Sequence, residues 1–106
     1  MKALSVRAPW AELIASGRKS LETRKRPTRY RGPLVVCQSR GGGAVAVVDL
    51  VDCRPWTPSD LAATCDPDDN SGRFVWELRL VRRVTSTRIS GRLSFFDVDE
   101  SLLREV

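Results

Sequence analysis

Ala44-Val45-Ala46-Val47-Val48-Asp49-Leu50-Val51 is the stretch whose reading decides the fold. Seven of its eight residues are apolar, and the β-branched valines favour an extended chain. An unbroken apolar run of this length reads as a central strand covered on both faces. Downstream, Arg73 to Val84 alternates, with Phe74, Trp76, Leu78 and Leu80 on one face, and reads as a long strand whose core includes Trp76. Upstream, Leu34 to Gln38 is a third strand, entered through the Gly32-Pro33 break. Gly41-Gly42-Gly43 forms the turn between them. No Lys-Ser/Thr helix start follows these glycines, so they make a weak case for a phosphate cradle.

Further out, Ala3 to Arg7 alternates as a first strand, and Pro9 opens a short helix that stops at Gly17, with Trp10, Leu13, Ile14 and Gly17 on one face. Arg18 to Arg24 suits a second short strand, which would set Ser20, Glu22 and Arg24 opposite Lys19, Leu21 and Thr23. One helical turn there would instead bring Lys19 and Glu22 face to face at i, i+3. Pro27 to Gly32 is a loop. Thr57, with Asp60 three residues on, caps a short helix over Leu61 to Ala63, and Asp66 to Gly72 is a polar loop. Gly91 to Val98, with its Phe95-Phe96 pair, is a last strand. These elements predict an α+β domain over residues 1–106, a small curled sheet or β-barrel of about five to six strands with two short helices.

The chain has 106 residues, 42% of them apolar, which suits one domain with a modest core. The net charge is +5. Residues 18–31 hold seven basic side chains against Glu22 alone, so this segment carries +6 and the remainder −1. A focused basic patch attracts polyanions, phosphate backbones above all. There is no histidine, and Cys37, Cys53 and Cys65 are an odd number without metal-type spacing. Zinc sites of the usual kind and Ser-His or Cys-His catalysis within the chain are thereby excluded, and acid–base chemistry falls to Lys, Glu, Asp, Tyr or Cys. No cofactor or metal is expected. The cysteine pattern points to a reducing, cytoplasmic setting. Met1-Lys2 leads straight into a short strand, and no segment is apolar for long enough to span a membrane.

Three segments carry a resemblance: Leu4-Ser5-Val6-Arg7-Ala8-Pro9-Trp10-Ala11, Gly17-Arg18-Lys19-Ser20-Leu21-Glu22-Thr23-Arg24 and Thr28-Arg29-Tyr30-Arg31-Gly32-Pro33-Leu34. In order and spacing they resemble the ASCH domain family of the PUA-like group. Trp76-Glu77-Leu78 and Gly91-Arg92-Leu93 are similar to its closing strands. The resemblance implies a PUA-like β-barrel with a cleft beside the first helix, and RNA or nucleotide as partner. One branch of that family comprises small amidohydrolases that deacetylate 4-acetylcytidine with a lysine matching Lys19, a threonine where Glu22 stands here, and a later carboxylate that no motif assigns. Many relatives carry Gln at the position of Ala8 and Trp at that of Arg26.

Lys19 and Glu22 are the candidate catalytic pair, with a structural ion pair as the plain alternative: burial lowers a lysine's pKa and a neighbouring carboxylate raises it. Ser5, Arg7, Trp10, Lys19, Glu22, Arg24, Arg26, Tyr30 and Arg31 are the candidate nucleotide contacts. Arg24 and Arg31 offer guanidinium forks to phosphate, and Arg26 offers a plane that can stack on a base. Trp10 packs in the core or walls the pocket, and Tyr30 stacks on a base or anchors its turn. Asp66, Asp68 and Asp69 could hold Mg²⁺ for a third, weaker reading as a ribonuclease, though a metal-free polar loop explains them better. The oligomeric state expected is monomer or weak dimer.

Overall fold

The two long strands are β4 (Ala44–Pro55) and β5 (Phe74–Thr85), of twelve residues each. They pair antiparallel and form the spine of the molecule in this computed structural model, which describes all residues from Met1 to Val106. β3 (Gly32–Gln38) lies antiparallel on the other side of β4. β1 (Lys2–Val6) joins β3 in parallel, which requires the intervening chain to cross over. That crossover carries the helix α1 (Trp10–Ala15) and the strand β2 (Leu21–Arg24), which pairs antiparallel with β5. A second helix, α2 (Leu61–Thr64), follows a 3₁₀ turn at Pro58–Asp60. The strand order is β2-β5-β4-β3-β1 followed by β6 (Phe96–Asp97), and β7 (Arg104–Glu105) pairs with β5. Bulges at Val36/Cys37, Val47/Val48 and Leu50/Asp52 bend and twist the spine, so the sheet curls into a half-barrel. The strand count reaches seven because β6 (Phe96–Asp97) and β7 (Arg104–Glu105) are two-residue pairings too short to be seen as pattern.

The apolar runs are continuous because the centre of the sheet is covered on both faces. Leu34, Val36, Val48 and Leu50 face α1 together with Leu4, Val6, Ile14, Trp76 and Leu78. Val35, Cys37 and Val47 face the other way, toward Val84 of β5 and toward Ile89 and Val98 of the C-terminal segment. Leu50 is almost fully buried, and its truncation to alanine would cost roughly 2–5 kcal/mol. Burial pushes the Cys37 thiol up to about 11, which makes it a packing residue and not a nucleophile.

Several boundaries differ from expectation for identifiable reasons. The buried face of α1 is Ala11, Ile14 and Ala15, not Trp10, Leu13, Ile14 and Gly17. Two alanines let the helix backbone lie close to the sheet, which displaces Trp10 to the flank. Gly17 does end the helix, with φ of +81°, and the N–H groups of Arg18 and Lys19 both reach the Leu13 carbonyl. β2 starts only at Leu21, so Lys19 belongs neither to the strand alternation nor to a helical turn. Residues 91–95 are not strand. A Cβ on Gly91 would sit 1.9 Å from Ser5 Oγ, so the chain presses against β1 there before β6 forms. Leu80 is exposed, unlike Trp76 and Leu78 on its expected face, although it shares an unbroken stretch of register with Leu78. The helix start at Thr57 forms as expected, with the Asp60 carboxylate accepting from the Thr57 backbone N–H. No helix is long and apolar enough to cross a membrane.

Candidate functional site

The irregular link Arg18–Ser20 turns Lys19 inward, and only 3% of this residue remains exposed. A buried ammonium must find acceptors. Its Nζ donates to the Thr64 carbonyl at 2.5 Å, lies 3.6 Å from Glu22 Oε1 and sits 5.2 Å from the centre of the Trp10 ring. Glu22, on β2, is also nearly buried, and its other oxygen, Oε2, accepts from Arg24 Nη1 at 3.2 Å. Arg24 lies across the Trp76 ring at 5.6 Å, with Nη1 also 3.5 Å from the Ser5 carbonyl. Burial pushes the Lys19 amine below its ordinary value. The negative charge of Glu22 is the main opposing influence.

These side chains form the floor of an open cleft of about 910 Å³. One wall is aromatic: Trp10, Trp76 and Phe95, the last two with ring centres 5.6 Å apart. Arg7, just after β1, and Lys25 and Arg26, just after β2, line the cleft rim, all exposed and none in an ion pair. The loop of Asp66, Asp68, Asp69 and Asn70 also lines the cleft, with Arg73 beside it. The cleft is therefore lined by both basic and acidic groups.

Seven of the nine sequence candidates come together here: Ser5, Arg7, Trp10, Lys19, Glu22, Arg24 and Arg26. Tyr30 and Arg31 do not line the cleft. The Tyr30 hydroxyl donates to the Pro33 carbonyl, and its ring meets Phe95 edge-on at 5.6 Å, so it anchors the turn behind the wall. Arg31 donates to the Thr28 and Tyr30 carbonyls and stands 3.9 Å from Asp52. Trp76 serves the core and the cleft together, and its indole N–H donates to the Arg26 carbonyl.

Sequence reasoning missed the Asp66–Arg73 rim as part of the cleft, along with Leu93 to Phe95 and the Thr64 carbonyl. The contribution of the first follows from the pairing of β2 with β5, Arg24 opposite Phe74, which sets residue 73 beside the basic rim. No local motif encodes that pairing. The acidic loop spends much of its oxygen on itself: Asp66 accepts from the Asp68 N–H and from Asn70 Nδ2, and Asp69 accepts from the Ser71 N–H and hydroxyl. Such bonds hold a loop's shape, and these aspartates do not form a metal-binding cluster.

The model of the ASCH domain matches residues 4–88. This chain belongs to the ASCH domain family. Among solved structures, the ASCH chain is similar to a point mutant of ZmASCH from Zymomonas mobilis, with a TM-score of 0.69 and 14% identity over 97% of this chain and 98% of that one. At that identity the likeness shows the shared PUA-like fold. No curated protein sequence matches the chain. ASCH domains are associated with RNA binding. In this ASCH chain, Ala8 is exposed just ahead of α1, and Arg26 sits on the basic rim of the cleft.

Proposed function

We propose that this ASCH protein binds a nucleotide unit of single-stranded RNA, with the base in the cleft against Trp10 and Phe95 and the phosphates on the Arg7–Lys25–Arg26 rim. The observation that carries this reading is the rim itself: three exposed cations with no carboxylate partner beside an aromatic-walled cleft. Cations kept free of internal ion pairs attract an external anion at no cost in lost partners. The acidic loop repels phosphate, so the backbone keeps to the cations and the base points inward. The three unpaired thiols fit a reducing, cytoplasmic setting for such a protein.

Titration of fluorescent single-stranded RNA at several salt concentrations tests the reading. Affinity falls linearly in log–log form, with a slope near −0.7 per phosphate neutralised. Affinity that does not depend on salt would remove the phosphate rim from the account.

A second reading is favoured by one specific observation: an amine whose pKa burial depresses, next to a carboxylate, at the floor of a cleft. Such a lysine suits nucleophilic or base chemistry on an acylated pyrimidine nucleoside such as 4-acetylcytidine. Turnover by wild type that Lys19→Ala abolishes in a folded protein would establish it. No turnover across a panel of acylated nucleosides would retire it.

A further inference from the structure

The floor of the cleft has an order. Lys19 Nζ stands at Glu22 Oε1 and Arg24 Nη1 at Glu22 Oε2, so the three charged groups run donor, acceptor, donor. All three line the cleft. Each also has unused capacity. An ammonium has three donors, and Lys19 directs one to Thr64 and one toward Glu22. A carboxylate has about four acceptor positions, and the two cations take two of them. The Nε and Nη2 groups of Arg24 have no partner within the chain. A ligand that reaches this floor therefore meets a preset row of polar groups that water or the ligand must satisfy.

We infer that the cleft selects a base with an imide edge, uracil or thymine, read by Lys19, Glu22 and Arg24. The inference rests on the nucleotide-binding reading above. The edge of uracil runs O4, N3–H, O2, which is acceptor, donor, acceptor and complements the floor group by group. Cytosine and adenine place a bare ring nitrogen, N3 or N1, at the position of the imide N–H. That lone pair would face the Glu22 carboxylate with no proton between them. Guanine offers O6 and N1–H to the first two groups, then turns its N2 amino group toward the Arg24 guanidinium, donor against donor. Because Lys19 and Glu22 are nearly buried, a mismatched base leaves them unsatisfied out of water, the condition under which a hydrogen-bonding site discriminates most strongly.

The test measures binding of UMP, CMP, GMP, AMP and N3-methyl-UMP to wild-type protein at one salt concentration, with oligo(U) and oligo(C) of equal length alongside. The expected order is UMP, then GMP, then CMP and AMP, with a gap between first and last on the order of tenfold or more. N3-methyl-UMP, which keeps every phosphate contact and loses only the central donor, falls to the level of CMP. Glu22→Gln, checked for its fold by circular dichroism, brings UMP and CMP within about twofold while the salt dependence stays as in wild type. Equal affinity for UMP and N3-methyl-UMP, or CMP binding at least as tightly as UMP, overturns the imide reading and leaves nucleotide binding intact. Binding of neither the mononucleotides nor the two oligonucleotides overturns both.

Discussion

Glu22 on β2 and Asp60 at the end of the 3₁₀ turn are the two buried carboxylates of the chain, and each is held by an arginine. They differ in what is left over. Asp60 takes Arg54 Nη2 on Oδ1, and Arg54 Nη1, the Thr57 N–H and the Thr57 hydroxyl on Oδ2. Its valences are filled by groups of its own corner, and it fixes where β4 ends and α2 begins. Glu22 has one cation on each oxygen and an open cleft beyond them. The same chemistry, buried to the same degree, closes a corner in one place and leaves a reading surface in the other. Unused hydrogen-bonding capacity, not burial or charge, separates the structural carboxylate from the candidate functional one.

The largest effect separating the two should come from Glu22→Ala. Removing the carboxylate strands the Lys19 ammonium in the interior, and breaking a buried pair this way costs about 3–5 kcal/mol. Urea unfolding measures it. Replacing both partners, as in Lys19→Met with Glu22→Leu, should recover most of that loss, because the stranded charge is gone. A double variant as unstable as Glu22→Ala would show that Glu22 supports the fold through something other than Lys19.

Asp60→Ala comes next. It removes a helix-start acceptor and a two-point arginine contact, for about 1–2 kcal/mol. RNA affinity should not change, since Asp60 lies outside the cleft. A loss of affinity in a protein that stays folded would mean that the two carboxylates are coupled, and the contrast between them would fail.

Arg26→Ala should behave in the opposite way. Its side chain is exposed and unpaired, and the carbonyl that receives the Trp76 indole belongs to the backbone, so stability should hold within about 0.5 kcal/mol. RNA affinity should fall several-fold, and the salt slope should shrink by about 0.7.

What the sequence made legible follows the same division. The valine-rich run, the alternation around Trp76 and the Gly17 stop are local signals, and each matches an element of the structure. The segment from Lys19 to Arg24 was legible as a site because its residue types are unusual together, yet its geometry was not. The contact a helical turn would make, Lys19 against Glu22, is present at 3.6 Å, but an irregular link and not a helical turn makes it. The inward turn depends on the Leu13 carbonyl in the last turn of α1 and on the Thr64 carbonyl, forty-five residues away. Tyr30 and Arg31 were drawn into the candidate site by their neighbours in a basic run, whereas the loop turns them to the back of the aromatic wall and to Asp52. The acidic rim escaped for the converse reason. Its place is set by a strand pairing between residues some fifty positions apart, and no local pattern carries that information.

The smallest effect is the sharpest on the nature of the Asp60 corner. Burial opposes ionisation of this carboxyl, but the hydrogen bonds from Thr57 and Arg54 and the charge of Arg54 together outweigh it and hold Asp60 below its ordinary value. A carboxyl that is more acidic in the folded chain than in the unfolded one stabilises the fold in its ionised form. That stabilisation is complete above the ordinary carboxylate range, at about pH 5 and higher, and drains away as pH falls through the lower folded value. Asp60→Asn keeps the shape and has no charge to lose. The stability gap between wild type and Asp60→Asn, read by urea unfolding at each pH, should therefore stay constant from neutrality to about pH 5 and close below it. A gap unchanged into strong acid would mean that the corner is held by shape and neutral hydrogen bonds, and that the arginine there contributes as little as an ordinary surface pair.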